Sequence, residues 1–97
     1  MPKAYWVATY RTVSNPDALA AYGKNAGTAL QAAGGKILAR GMPSTTLDGG
    51  YMGRTVLVEF DSVDAALAAY NSPAYQECLK LLGDVAKERD IRIIEAI

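Results

Sequence analysis

The chain has 97 residues, 51% of them hydrophobic, and its ten basic residues are balanced by ten acidic ones. This length suits one domain, and the composition is that of a folded protein rather than a disordered segment. The balanced charge lacks the positive field of nucleic-acid-binding proteins, and no apolar run approaches the roughly 20 residues that span a bilayer. We therefore expect a single domain over residues 1–97 that binds neither nucleic acid nor membrane.

Two residue types are scarce enough to restrict the chemistry. The chain has no histidine, which removes the commonest general base near neutral pH and the commonest metal ligand. A Ser-His-Asp triad and a histidine zinc site are thereby excluded, and we predict no metal and no cofactor. Cys78 is the single cysteine, so no disulfide can form within the chain. Together with an N-terminus that lacks an apolar leader, this predicts a cytoplasmic protein.

The first half of the sequence predicts a strand, a helix and a second strand. Residues 4–10 are rich in strand-forming aromatic and β-branched side chains. Residues 15–17 combine an asparagine N-cap, a first-turn proline and an acid that suits the helix dipole. Residues 36–40 follow the glycine stop at positions 34 and 35 as a short strand. The apolar stripe of the helix is spaced by three or four residues and contains Leu19, Tyr22, Ala26, Leu30 and Ala33.

The second half predicts a loop, a strand, a kinked pair of helical segments and a last strand. Glycine, proline and hydroxyl residues dominate positions 41–53, and residues 54–60 form the clearest strand. Ser62 suits the N-cap of a helix through Tyr70, and Ser72-Pro73 restarts the helix after a kink. Residues 91–96 read as the final strand. The stripe of the second helical segment contains Tyr75, Leu79, Leu82 and Val85 or Ala86.

This order of elements, βαββαβ, predicts a ferredoxin-like α+β fold. Right-handed crossovers place the helices on one face of a four-stranded antiparallel sheet. The strands over residues 4–10 and 54–60 carry apolar side chains on both of their faces. An uncovered sheet face of this kind would be a large apolar patch, which usually marks an interface. A two-fold homodimer joined through the sheet face is therefore expected.

Several stretches of the sequence carry a family resemblance. They include Glu59-Phe60-Asp61-Ser62, Tyr70-Asn71-Ser72-Pro73-Ala74-Tyr75, Gly34-Gly35-Lys36 and the opening Tyr5-Trp6-Val7-Ala8. Together they resemble the DUF1330 family of bacterial proteins, a domain of unknown function in the dimeric α+β barrel superfamily. The resemblance implies the fold and the dimer, and it implies no reaction. Relatives in the superfamily include cofactor-free monooxygenases, lactone isomerases, haem-binding enzymes and ligand binders, so fold alone does not choose a function.

Five side chains are candidates for a ligand pocket between the sheet and the helices: Tyr22, Arg40, Arg54, Glu59 and Tyr70. An arginine can hold a substrate carboxylate through two parallel hydrogen bonds, and Glu59 can act as a base. The structural alternative is an ion pair within the sheet or across the dimer. Successive residues of a strand point to opposite faces of the sheet. If Phe60 packs under the helices, Arg54 therefore lines the helix side and Glu59 faces the partner subunit.

Two functional hypotheses follow, and the sequence leaves open whether the protein is an enzyme. The first is a cofactor-free enzyme or binder that holds a small molecule between sheet and helices. The alternative is a non-catalytic accessory or stress-related dimer whose polar strand residues are purely structural. A ligand pocket predicts a cavity lined by at least one unpaired arginine or tyrosine, whereas the structural dimer predicts that these groups are paired.

Overall fold

A computed structural model describes residues 2–11, 14–83 and 88–97 of the chain. Its elements follow the predicted order: the first strand has the predicted bounds, and the bounds of the other three strands differ from the predicted ones by at most two residues. Val85 and Ala86, which were assigned to a helical stripe, lie outside the described residues. The elements are β1 (Ala4–Tyr10), α1 (Pro16–Ala32), β2 (Lys36–Gly41), β3 (Thr55–Phe60), α2 (Val63–Tyr70), α3 (Pro73–Leu82) and β4 (Arg89–Glu95).

The four strands form one antiparallel sheet in the order β2-β3-β1-β4, and the helices pack on one of its faces. One row of paired residues identifies the face of the sheet that packs against the helices. In this row Trp6 pairs with Val58 and with Ile93, and Val58 pairs in turn with Ile37. These residues face the helices, because Trp6 and Val58 are buried and Ile37 and Ile93 pack against the core. The ferredoxin-like α+β fold expected from the sequence is thus confirmed.

The helix ends form where the sequence predicted them. The side chains of Asn15, Ser62 and Ser72 each accept a hydrogen bond from the backbone N–H three residues later, so each caps a helix. Gly34 ends α1 with a φ of 96°, a left-handed conformation that glycine adopts without the steric cost that other residues meet. Ala33 is the exposed C-cap of α1, so the buried stripe of this helix ends at Leu30 rather than at Ala33.

The core is dominated by aromatic side chains between the helices and the sheet. Trp6, Phe60 and Tyr75 are each at most 2% exposed. The Trp6 and Tyr75 rings meet edge to face, with centroids 5.3 Å apart, which is a favourable arrangement for two aromatic quadrupoles. Trp6 therefore belongs to the core. Phe60 also packs under the helices, which fulfils the condition for placing Arg54 and Glu59 on opposite sides of the sheet.

The long β2–β3 connection is held against the end of β1 by Tyr51. The Tyr51 hydroxyl donates a hydrogen bond to the backbone carbonyl of Tyr10, and the Arg11 guanidinium lies 4.6 Å from the centre of the Tyr51 ring. A cation at this distance from an aromatic face is attracted to it. The backbone N–H of Tyr10 donates to the Arg54 carbonyl, which fixes the residue before β3 beside the end of β1.

The opposite face of the sheet, which we call the open sheet face, is built from alternate strand residues. Val7 pairs with Leu57, and Tyr5 lies between Glu59 and Ile94. No helix of the described part of the chain packs on this face, and Ile94 is 61% exposed. Among the described helices, none has the length and apolar character needed to cross a membrane.

Candidate functional site

A small cavity of about 30 Å³ lies between α1 and the sheet. That volume holds only one or two water-sized groups. Most of its wall is apolar, formed by core residues such as Trp6 and Leu30. The polar groups that reach it come from tyrosines and arginines: Tyr10, Tyr22, Tyr75, Arg40 and Arg54.

An open groove of about 600 Å³ runs along α1 directly outside this cavity. The groove and the cavity have five lining residues in common: Gly23, Gly27, Ile37, Arg40 and Arg54. The cavity is therefore the inner end of the groove, and both arginines stand where the two meet. We call the inner cavity and the outer groove together the α1 pocket.

Two glycines in the middle of α1 form one wall of the groove. A Cβ atom at position 23 would lie 3.7 Å from Nη2 of Arg54, and one at position 27 would lie 3.3 Å from Cδ1 of Ile37 and 3.6 Å from Nη1 of Arg40. Each glycine thus gives an arginine head group room beside the helix. Glycine in a helix interior costs about 1 kcal/mol relative to alanine, so α1 gives up stability where it faces this groove.

The charged side chains in the described lining of the α1 pocket are all positive. Its lining contains Lys24, Arg40 and Arg54, and no aspartate or glutamate belongs to the described lining. Within residues 2–11, 14–83 and 88–97, the side chains of Arg40 and Arg54 make neither an ion pair nor a hydrogen bond. Arg54 is half-buried and Arg40 is exposed. The pocket therefore presents positive charge that no described carboxylate neutralises.

At the inner end, two phenols from different helices meet. The hydroxyls of Tyr22 in α1 and Tyr75 in α3 are 2.8 Å apart and share one hydrogen bond. Two hydroxyls bring two protons, so one O–H of the pair is not used in that bond. Burial raises the pKa of Tyr75 to about 12 and also raises the pKa values of Tyr22 and Tyr10. At neutral pH these phenols are hydrogen-bond donors and not bases.

Glu59 lies on the open sheet face, away from the α1 pocket. Its carboxylate is 3.3 Å from Nζ of Lys3, which also lies 3.5 Å from Asp61. The hydrogen bond and the charge of Glu59 raise the pKa of Lys3, with a further contribution from Asp61. Glu59 is therefore engaged in an ion pair, and it shares no cavity with Arg54 because successive residues of a strand point to opposite faces.

Tyr70 also lies outside the α1 pocket. Its ring packs at 6.0 Å from Trp6 and at 5.5 Å from Tyr75, and its outer edge lines a separate groove beside Leu67 and Arg89. Of the five candidates, the structure brings together Tyr22, Arg40 and Arg54. Within the described chain, no group of three potential histidine, cysteine, aspartate or glutamate ligands gathers at one place.

Several pocket residues were missed by sequence reasoning. Tyr10, Tyr75 and Lys24 were not among the five candidates. Gly23 and Gly27 did carry a signal, because two glycines one helical turn apart inside a helical stripe indicate a close approach or an open groove.

Solved structures with the same fold have varied descriptions. A protein of unknown function from Rhodopseudomonas palustris is 19% identical, with a TM-score of 0.71, and the match covers 99% of this chain and 83% of that one. A dimeric ferredoxin-like protein of unknown function from Thermobifida fusca is 19% identical, with a TM-score of 0.67 and coverages of 98% and 92%. A hydroxynitrile lyase from Passiflora edulis is 14% identical, with a TM-score of 0.73 and coverages of 99% and 94%. At these identities the likeness shows the fold alone.

The sequence comparisons give a family and no characterised relative. A search of curated proteins found no match. The family model described as a domain of unknown function, DUF1330, matches residues 3–97, which is nearly the whole chain. The fold and this match agree with the resemblance seen in the sequence, and the chain belongs to the DUF1330 family.

Proposed function

We propose that the protein is a cytoplasmic homodimer in which each subunit binds a small molecule in its α1 pocket without a cofactor. The observation that carries this proposal is the pair of arginines, Arg40 and Arg54, that line a cavity without an ion pair among the described residues. A half-buried cation without a partner is unfavourable, so a site that keeps one is suited to receive a ligand.

The alternative, an accessory or stress-related dimer with purely structural polar residues, accounts for only part of the site. It explains Glu59, which is paired with Lys3. It explains Gly27, which allows Ile37 to approach α1 closely, but it does not explain why Gly23 leaves space beside Arg54 at a cost of about 1 kcal/mol. The α1 pocket therefore favours ligand binding over a purely structural role.

The pocket offers binding and polarisation rather than acid–base exchange. Its described lining has no carboxylate, the chain has no histidine, and the buried phenols hold their protons. A phenol O–H and an arginine can both stabilise negative charge on a ligand oxygen. The hydroxynitrile lyase of the same fold indicates that the scaffold can support catalysis, although fold alone does not transfer a reaction. A reaction in this pocket would be one that needs charge stabilisation and no protein base.

The homodimer is supported by the open sheet face and by the description of the Thermobifida fusca protein as dimeric. Sheet-to-sheet pairing would cover Val7, Leu57 and Ile94, which no described helix shields. Multi-angle light scattering should give twice the 10.3 kDa of one chain. Leu57→Lys should shift the mass toward one chain. Leu81→Lys, which changes a 75% exposed residue on the helix side, should leave the dimer intact, and a monomeric parent protein would contradict the proposal.

Ligand binding is tested by a thermal-shift screen with neutral, anionic and cationic small metabolites. A ligand at 100 times its Kd adds about 2.7 kcal/mol to the free energy of unfolding. Gly23→Leu places a side chain in the groove and should abolish the shift. Ala21→Leu, on an exposed part of the same helix, should retain it. Absence of any stabilising compound, or equal shifts in both variants, would refute a binding function for the α1 pocket.

A further inference from the structure

We infer that the ligand of the α1 pocket is a small organic acid, bound with its carboxylate at Arg40 and Arg54 and with an oxygen at its far end on the Tyr22–Tyr75 pair. This inference rests on the proposed function and adds the chemical class of the ligand. Three features of the pocket carry it: the sign of its charge, the position of the arginines and the chemistry of its inner end.

The charge of the groove favours an anion. The chain as a whole is neutral, with ten basic and ten acidic residues, yet the groove carries Lys24, Arg40 and Arg54 without a carboxylate in its described lining. The positive charge is therefore local. Partly enclosed positive charge attracts anions and repels cations, and it gives a neutral ligand no comparable advantage. Arg54 is half-buried, so an anion would also replace water that this guanidinium has lost.

The arginines are placed to act on one group. Their head groups lie next to Gly23 and Gly27, which are one turn apart on the same side of α1. Neighbouring turns of a helix separate such positions by about 5–6 Å. A carboxylate has two oxygens with several acceptor positions, and arginine binds it through two parallel N–H groups. A carboxylate at the mouth of the inner cavity can therefore receive hydrogen bonds from either guanidinium or from both.

The inner end selects for a narrow group that accepts a hydrogen bond. The cavity of about 30 Å³ holds one or two water-sized groups, such as a methylene with its hydroxyl, and excludes an aromatic ring. Tyr22 also interacts with the Tyr10 hydroxyl, and three phenols have three protons for two mutual hydrogen bonds, so one O–H of the cluster is left for a ligand. Between the two ends the wall is apolar, with Ile37 and Val56 on the sheet side. A short aliphatic acid with an oxygen on the carbon next to its carboxylate satisfies all three parts of the pocket.

The test compares acids with their neutral amides. The probes are glycolate against glycolamide, and acetate against acetamide, measured by isothermal titration calorimetry on the full chain at low and high salt. We expect the acids to bind more tightly than the amides and to weaken as salt rises. We also expect the hydroxylated acid to bind more tightly than acetate, and Tyr75→Phe to reduce that difference.

Two charge-removing variants and one matched control complete the test. Arg40→Gln and Arg54→Gln should each weaken binding of glycolate by about 10-fold to 100-fold, the usual effect of removing a hydrogen bond to a charged group. Lys80→Gln removes the same charge from an exposed position on α3 and should leave the Kd unchanged. Circular dichroism of each variant confirms that it is folded.

The outcomes separate this inference from the proposed function. If amides or other neutral compounds bind as tightly as the acids, and Gly23→Leu still abolishes their binding, the pocket is a ligand site but the acid class is wrong. Acid binding that both arginine variants retain also overturns the inference. If no compound of any charge binds, the inference and the proposed function fail together.

Discussion

Replacing Gly23 by alanine should stabilise the protein. Gly23 lies inside α1, where alanine is favoured over glycine by about 1 kcal/mol because glycine loses more backbone freedom on folding. The added Cβ would meet Nη2 of Arg54 at 3.7 Å, an ordinary van der Waals distance, so no steric term offsets the gain. We expect the free energy of unfolding to rise by about 1 kcal/mol. For a domain of this size that corresponds to a Tm increase of about 4–8 °C.

Two other glycines provide matched controls for the same chemical change. At Gly27 the Cβ would lie 3.3 Å from Cδ1 of Ile37, so Ile37 must move and the gain should be smaller than at Gly23. At Gly34 the backbone has a φ of 96°, and alanine there should destabilise by about 1–2 kcal/mol although no atom lies within 4 Å of its Cβ. Urea denaturation of the three variants measures the free energies, and an unchanged m-value shows that the denatured state is comparable.

The result that refutes the reasoning is a lower stability for Gly23→Ala than for the parent protein. It would mean that the backbone at position 23 needs glycine or that Arg54 cannot tolerate a methyl group beside it. The same substitution should also affect ligand binding, because the added methyl group stabilises the helix and at the same time narrows the groove. Gly23→Ala should therefore raise Tm and weaken binding of glycolate, which is the trade-off expected where a site is kept open at the expense of stability.

Three further predictions concern the buried phenols and a helix cap. Tyr22→Phe should lower the free energy of unfolding by about 1–3 kcal/mol because it leaves the Tyr75 hydroxyl without its partner, and the double phenylalanine variant should lose less than the sum of the single changes. A fully additive double-mutant cycle would argue against the hydrogen bond. The free energy of unfolding should also fall in alkali. Tyrosines in the unfolded chain ionise near pH 10, whereas the pKa of Tyr75 in the folded protein is about 12. The stability that comes from keeping Tyr75 neutral is therefore fully present below pH 10 and is lost as the pH rises toward 12. Denaturation curves at intervals across that range measure the loss, and Tyr75→Phe should make it shallower; equal slopes would contradict the assignment. Asn15→Ala should lower the free energy of unfolding by about 1 kcal/mol because it removes the N-cap of α1, whereas Asn15→Gly should lower it by only about a few tenths of that. Equal losses of the two variants in thermal denaturation would show that the loss does not come from the N-cap.

The fold could be read from the sequence because its signals are local. Helix starts are indicated by short side chains that accept a backbone hydrogen bond, at Asn15, Ser62 and Ser72. The end of α1 is indicated by Gly34, because glycine can adopt the left-handed conformation found there. Alternation along β3 also predicted that Arg54 and Glu59 face opposite sides once Phe60 was assigned to the helix side. Each of these inferences needs only the neighbours of a residue in the chain.

The site could be read only in part, because it depends on distances between elements. Tyr22 and Tyr75 are 53 positions apart, and no local pattern shows that their hydroxyls meet at 2.8 Å. The sequence likewise could not show that Glu59 has Lys3 as a partner while Arg40 and Arg54 have none among the described residues. Tyr70 was a reasonable candidate by composition, but its helix directs it to a different groove.

The most direct test of a small-acid site is an NMR titration that follows the arginine Nε–Hε signals while glycolate is added. The signals of Arg40 and Arg54 should shift together along one saturable curve, since both head groups border the same groove. The signal of Arg92, which lies on the open sheet face near Asp90, should stay in place. A shift at Arg92 alone, or no saturable shift at Arg40 and Arg54, would contradict a small-acid site between α1 and the sheet.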